Sequence, residues 1–499
     1  MFTRRQLLKQ TAAAGAAVTA PMLRASATDT NCAPKAPAEK NELQVALEQA
    51  LVRNHVPGAS VAIYNKGRLT TAAAGLTNVA TGVELTPETV MHIGSIAKVF
   101  TATLVMQLVD EGKVDLDAKV LHYLPDLKLQ DRAALEQITV KMLLNHTSGI
   151  DGELSPDYGH DEETIEKGVA RMVGFGQIHR PGAEFSYCNA AVVIAGYLAQ
   201  RLRNKSWYTL IKERIYQPLQ MEHSVTLPEE ALLYRASVGH FMNPASGKVM
   251  RTSNAFNPLS RAPCGPTLMM SAQDLMTFAR AHMRFGAGTN GTRILSEASA
   301  RAMQRVTVNN QGKGYAGDLD LGLGWMISSN GLLEHSGSAP GTVAWLGVHP
   351  ERDFAAAILM NFGNGRDLFK DLMQPRLKEV GFGDAGTTGE LQLPAQPVRF
   401  DPARYVGEYE SVVVRARVAK VADGLALSFQ SKFRANGDDS SLEPSPPVPL
   451  IAVGKDQFVP KSPTGKYVTG EIVAFRNERP DGKMEHLGNW TRLFKRHTA

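Results

Sequence analysis

Periodicity changes once along this 499-residue chain, and that change limits its fold more than any other feature. Across Gly381–Pro397 the chain turns rich in Gly, Thr, Gln and Pro, residues that break helices and strands. Beyond it the pattern is that of strands. Val414, Ala416 and Val418 alternate with Arg415 and Arg417, Asp423-Gly424 offers a turn, and Leu425, Leu427 and Phe429 alternate back. Residues 399–499 therefore predict a small all-β domain closed as a barrel, with 383–398 as the linker before it. Residues 41–382 mix both periods. An amphipathic helix is expected over Asn41–Val52 and a hairpin over Ser60–Gly75, turning at Asn65-Lys66-Gly67. Val99, Phe100, Leu104 and Leu108 predict a helix over Ile96–Glu111, ended by Gly112. The stretch 115–310 reads as helix and loop. Two apolar strands, Val343–Val348 and Phe354–Met360, flank the turn His349–Asp353, and a helix over Arg366–Val380 should break at Pro375. The fold class is α/β: an antiparallel sheet flanked by helices, a helical lobe beside it, and the C-terminal β-domain.

The first 27 residues read as an export signal. Arg4-Arg5 precedes a mild apolar stretch, Thr11 to Leu23, and Ala25-Ser26-Ala27 supplies a small-residue cleavage pattern. An arginine pair before a weakly hydrophobic core predicts the twin-arginine route, hence a periplasmic or secreted protein; 28–40 is a linker. The signal holds Arg4, Arg5, Lys9 and Arg24 and no acid, so the net charge of +5 falls to +1 without it. A nearly neutral mature chain gives no reason to expect nucleic acid, and no later stretch is long and apolar enough to span a bilayer. Cys32, Cys188 and Cys264 are too few and scattered for a disulfide framework or a zinc site. A Cys188–Cys264 bridge is allowed in an oxidising compartment but nothing requires it.

Chemistry concentrates in three places. Ser95-Ile96-Ala97-Lys98 follows Gly94; if Ser95 opens a helix, Lys98 lies one turn on along the same face. A serine hydroxyl needs a base beside it, and a buried lysine can serve or can hold a second base in its basic form. The helix start also offers unpaired N–H groups to a developing oxyanion. Tyr187-Cys188-Asn189 comes some ninety residues later, and His335-Ser336-Gly337 follows, beside an expected strand.

Three such motifs in this order resemble the serine β-lactamase and penicillin-binding-protein superfamily, most closely its class C branch and the related D-peptidases and esterases. The segment Leu143–Ile150, Leu-Leu-Asn-His-Thr-Ser-Gly-Ile, is similar too. The resemblance covers residues 42–382; the C-terminal domain is loosely similar to the lipocalin-like appendage of some members. It implies that Ser95 is acylated, that Lys98 and Tyr187 share the base role, and that Asn189 bonds Lys98 and the substrate's amide. The backbone N–H groups of Ser95 and Ser338 would form the oxyanion hole, and His335, with Ser336 and Gly337, would face the substrate. Such two-step acyl transfer uses no metal and no cofactor.

Class C β-lactamases usually carry Lys-Thr-Gly at the third motif, whereas His-Ser-Gly here is commoner in D-peptidases, D-aminopeptidases and esterases. Lysine is a fixed cation for the β-lactam carboxylate and histidine is mostly neutral at pH 7. The expected activity is therefore hydrolysis of short linear peptides or related amides, ahead of a carboxylesterase and a β-lactamase. A non-enzymatic alternative is an acylated sensor or cell-wall binding protein. The Ser-Ile-Ala-Lys quartet is also similar to that of bacterial peptidases that cut linearised microcystin. The partner expected is a small-molecule or peptide substrate; the sequence leaves the oligomeric state open. Among other features, His146 is expected to cap a turn. The acidic run Asp151, Glu153, Asp157, His160, Asp161, Glu162, Glu163 reads as a solvated loop without metal-ligand spacing. Cys188 reads as buried, and Trp325 and Trp345 as core at least as readily as substrate-stacking residues.

Overall fold

The structure, a computed structural model, describes residues 41–153, 157–243, 246–265, 267–310, 319–382, 391–422, 424–432, 442–462, 467, 471–489 and 491–497. The expected export signal 1–27, the expected linker 28–40 and residues 383–390 of the expected second linker lie outside them.

Helix α1 (Glu42–Arg53) opens where Asn41 Oδ1 accepts the Gln44 N–H at 2.9 Å. It buries Leu43, Leu47, Ala50 and Leu51 along one face. Strands β1 (Gly58–Asn65) and β2 (Arg68–Asn78) form the expected hairpin, and β2 continues to the short β3 (Val83–Glu84). Lys66 and Gly67 both take positive φ, +46° and +89°, as a two-residue hairpin turn demands. The rest of the sheet comes from far along the chain: β4 (Asp320–Leu321), β5 (Met326–Ile327), β6 (Leu333–Ala339), β7 (Thr342–His349) and β8 (Phe354–Met360). The eight strands are antiparallel in the order β3-β2-β1-β8-β7-β6-β5-β4.

All seven residues of β8 are buried, because both sheet faces are covered. On one face Ala62, Leu346 and Ala357 pack with helices α2 (Ala97–Asp110), α3 (Asn189–Arg203) and α4 (Ala272–Met283). On the other Val61, Trp345 and Ile358 pack with α1 and with Leu368, Phe369 and Leu372. The expected helix 366–380 is interrupted: Arg366–Leu368 leads into a wide five-residue turn, Phe369–Met373, and Pro375 sits in the first turn of Gln374–Glu379. There its missing N–H costs nothing. Trp325 and Trp345 are core residues. Cys188 and Cys264 are buried free thiols, so no bridge joins them. No helix of the described residues is long and apolar enough to cross a membrane.

The C-terminal strands close a barrel: β9 (Gly407–Glu410), β10 (Val414–Val421), β11 (Gly424–Ser431), β12 (Val448–Gly454), β13 (Gln457–Pro460), β14 (Val473–Glu478), β15 (Met484–Asn489) and β16 (Arg492–Arg496). Tyr405, Tyr409, Phe458, Phe475, Met484, Leu487 and Phe494 pack as its core, as expected of an eight-stranded barrel whose bore just holds side chains. Outside, Val459, Ile472, Ala474 and Leu493 form one apolar cluster with Ile178, Phe185, Leu321 and Met326 of the α/β part. Polar contacts reinforce it: Tyr187 N–H donates to Thr491 O at 2.8 Å, Leu493 N–H to Ser186 Oγ at 3.2 Å, and Val412 N–H to Asp151 Oδ1 at 3.0 Å. The barrel's last strand is thereby pinned to the segment that carries the Tyr187 motif.

Candidate active site

Ser95 stands in a single 3₁₀ turn, Gly94–Ile96, that runs directly into α2. Glycines make room for it. Gly94 has φ +54°, and a Cβ there would lie 2.8 Å from the Gly337 carbonyl carbon. A Cβ on Gly337 would lie 2.9 Å from Ser95 N, and one on Gly265 2.9 Å from Ser95 Cα. The Ser95 turn is therefore wedged between the Gly337–Ser338 end of β6 and the Gly265 loop, with no space for a side chain on any of the three.

Helix α2 is buried on nearly every side, and Lys98 is only 1% exposed. A buried lysine amine must find partners for its N–H groups. Lys98 Nζ gives one to Ser95 Oγ at 3.0 Å and one to the Cys264 carbonyl. It also lies 4.7 Å from the centre of the Tyr187 ring. The sequence reading of Ser95, Lys98 and Tyr187 as neighbours thus corresponds to one cluster. On the Tyr187 ring stacks His146, at 4.4 Å and 29°. His146 has φ +58°, and its Nδ1 accepts the Cys188 N–H at 3.1 Å. Burial first, then the nearby Lys98, His335 and Arg492, hold its pKa well below the ordinary value, so its ring is neutral. Beyond the expected turn, His146 braces the segment that carries Tyr187. Cys188 caps α3 by accepting the Ala191 N–H, and burial pushes its thiol up to about 12, which leaves it inert.

Two expected contacts need correction. Asn189, which does line the cavity, was expected to bond Lys98. Its amide nitrogen instead donates to both Glu153 oxygens, at 2.9 and 2.7 Å, and no hydrogen bond joins it to Lys98 among the described residues. His335 was expected to face the substrate, yet it is 2% exposed and does not line the cavity. Its Nδ1 pairs with Ser336 O at 2.6 Å, and its ring lies 6.3 Å from that of Tyr187. Burial, with Lys98 adding to it, lowers its pKa to about 3, so it carries no charge at neutral pH. The alternation of β6 explains this: His335 and Gly337 point inward while Ser336 and Ser338 are exposed.

A cavity of about 510 Å³ opens on Ser95. Tyr187, Asn189, Asn257, Arg261, Cys264 and Ser338 line it from the α/β part, and Ser411, Val413, Val414, Arg492 and Phe494 from the barrel. Glu153 also lines it, which corrects the solvated-loop reading of the acidic run. Its side chain is 11% exposed and paired with Arg492 and, at 3.5 Å, with Arg261. Asp151 is likewise engaged with the barrel, whereas Asp157, Asp161, Glu162 and Glu163 are exposed as expected. Sequence reasoning missed Glu153, Arg261 and Arg492, since no short motif links residues so far apart. Among the described residues no cluster of His, Cys, Asp or Glu has the geometry to hold a metal ion.

Several known proteins are similar to this chain. The family described as Beta-lactamase matches residues 43–377. Penicillin-binding protein 4 of Amycolatopsis lactamdurans is 34% identical over 368 residues, 72% of this chain and 94% of that protein. Among solved structures, SurE superposes with a TM-score of 0.72 at 26% identity, over 91% of this chain and 98% of its own. SurE has also been solved with D-Leu, at TM-score 0.70 and 25% identity. The octameric penicillin-binding protein homologue from Pyrococcus abyssi shares the fold, with TM-score 0.59 and 22% identity over 91% of this chain and 99% of that one. From the match across residues 43–377 and the near full-length likeness to a penicillin-binding protein, this chain belongs to the β-lactamase family of serine hydrolases.

Proposed function

We propose that the protein is an exported serine hydrolase that cleaves short linear peptides or related amides through an acyl-enzyme on Ser95. The observation that carries this reading is the contact of Lys98 Nζ with Ser95 Oγ, at 3.0 Å, in the wall of a cavity shared with Tyr187. In the first step Ser95 Oγ attacks the carbonyl carbon and its proton passes to the Lys98–Tyr187 pair. The N–H groups of Ser95 and Ser338, brought together by the Gly94–Gly337 packing, receive the oxyanion. The pair returns the proton to the leaving amine as the C–N bond breaks. Water then enters by the same path, its proton going to the pair and its oxygen to the acyl carbon, and Ser95 leaves with a proton.

A peptide or amide is favoured over a lactam because the third motif offers a neutral, buried histidine where a lysine would offer a fixed charge. The volume suits a small substrate rather than a protein. The likeness to a protein solved with D-Leu supports a substrate that presents a D-residue. The Arg4-Arg5 signal supports export, which fractionation of cells producing the full chain would test.

The deciding experiment is turnover by residues 28–499 of peptides with free and blocked termini and with L- and D-residues, p-nitrophenyl esters and nitrocefin. Steady peptide or amide turnover exceeding that of nitrocefin is expected. Faster nitrocefin hydrolysis would make the protein a β-lactamase, faster ester hydrolysis an esterase, and a burst without steady turnover an acylated binding protein.

A further inference from the structure

We infer that Glu153 is a positioning residue: held by Arg492 of the barrel and by Arg261, it sets which way round the Asn189 amide stands in the Ser95 cavity. This rests on the Ser95 hydrolase reading and goes beyond it. The four side chains come from four parts of the chain: the segment after Ile150, the start of α3, the 3₁₀ turn Leu259–Cys264 and the first residue of β16. All four line the one cavity. The 3₁₀ turn that carries Arg261 also supplies the Cys264 carbonyl that takes Lys98.

An ionised carboxylate only accepts hydrogen bonds, so the nitrogen and not the oxygen of the Asn189 amide must face it. The observed contacts, 2.9 and 2.7 Å to both carboxylate oxygens, obey that rule. Asn189 Oδ1 then points away from Glu153, buried and with no hydrogen-bond partner, as the acceptor this motif residue has left to offer. A protonated carboxyl can donate as well as accept, so it would tolerate the flipped amide. The orientation of Asn189 thus depends on the charge of Glu153. Burial alone would raise that pKa, and Asp151, two residues earlier, opposes ionisation of the pair; Arg492 and Arg261 outweigh this and hold the Glu153 carboxyl below its usual range. Tyr187 also faces Arg492, and Cys188, buried beside them, keeps its proton. Since Arg492 belongs to the barrel, docking of the barrel is what keeps the α/β part's own motif residue in order.

The test measures kcat and KM from pH 3 to 8 with a p-nitrophenyl ester, and fluorophosphonate labelling of Ser95, for wild type, Glu153→Gln, Arg492→Gln and Arg492→Lys. Thermal unfolding is recorded for each. Glu153→Gln should lower kcat by about 10- to 100-fold with KM nearly unchanged, the scale of a misplaced site group, and should lose the acid limb due to Glu153. In Arg492→Gln burial dominates the carboxyl, so that limb should move to higher pH, whereas Arg492→Lys, which keeps a fixed charge, should leave it in place. Wild-type kcat in Glu153→Gln, or an unmoved limb in a folded Arg492→Gln, overturns the inference. If Arg492→Gln does not unfold cooperatively, persistence of the acid limb in Glu153→Gln overturns it instead. A wild-type protein that is neither labelled nor active overturns the Ser95 reading and this inference together; a labelled, active wild type with unmoved limbs overturns the positioning role alone.

Discussion

Ser95, Lys98 and Tyr187 form one cluster, with Lys98 Nζ 3.0 Å from the Ser95 hydroxyl and 4.7 Å from the centre of the Tyr187 ring, and in the proposed mechanism they share one proton path. Groups on one proton path fail together. Lys98→Ala and Tyr187→Phe should each remove most turnover, about 10²-fold or more, the scale of general acid–base catalysis, and the double variant should be hardly worse than either. Additive losses in kcat would show that the two act independently. His335 makes the opposite prediction. Its pKa of about 3 leaves it neutral throughout pH 5.5–8, so KM for a carboxylate substrate and its amide analogue should keep a constant ratio there. A KM that rises with pH for the carboxylate only, and no longer does so in His335→Lys, would contradict that neutrality. The three residues Ser95, Lys98 and Tyr187 were legible because each lies in a short motif and the motifs keep their order. Glu153 and Arg492 were not, because what makes them part of the site is burial against each other, and an acidic run and a lone arginine look solvated in sequence.

At the scale of elements, the site is a junction of turns and strand ends held apart by glycine. Gly337→Ala would place a methyl carbon 2.9 Å from Ser95 N, and both the β6 backbone and the Ser95 turn are too confined to yield. A loss of kcat of about 10²-fold, the scale of a lost oxyanion donor, is expected with the fold retained by circular dichroism. Unchanged kcat would mean that β6 and the Ser95 turn do not jointly form the oxyanion site. The β1–β2 hairpin, α2, β7 and β8 could be read from the sequence because their periodicity runs over seven residues or more. The two-residue strands β3, β4 and β5 could not, since they are strands only through pairing with neighbours. That β6 buries His335 while exposing Ser338 depends on its register against β7, where His335 faces Leu346 and Ser338 faces Val343.

At the scale of the molecule, the barrel is both neighbour and active-site wall, and it should behave as a domain over residues 399–499. Proteolysis is expected to cut 383–398 first, where the described residues are largely exposed coil. The Ile178–Phe185–Leu493 cluster should then keep the fragments together through gel filtration, with activity retained. Preferential cutting elsewhere, or separation of the fragments without denaturant, would count against that architecture. Stability should fall in mild acid. Burial holds His92 at about 4 and His282 and His335 at about 3, below the unfolded value of 6.5. The unfolded chain therefore binds more protons below pH 6.5, and stability, full above it, is lost as pH falls toward those values, by about 1 kcal/mol per pH unit for each histidine. Asp151 and Asp274, raised by burial, act in the other direction nearer the carboxylate range, so the comparison belongs above pH 5. A guanidinium midpoint equal at pH 7 and 5.3 would contradict it. The central claim is covalent catalysis by Ser95 under the shared barrel wall, and peptide mass spectrometry after rapid quenching of the enzyme with an activated acyl substrate tests it most directly. The mass of the acyl group should appear on the peptide containing Ser95 and decay as product forms, and should be absent in Ser95→Ala; an adduct on another residue, or turnover by Ser95→Ala at the wild-type rate, would contradict the account.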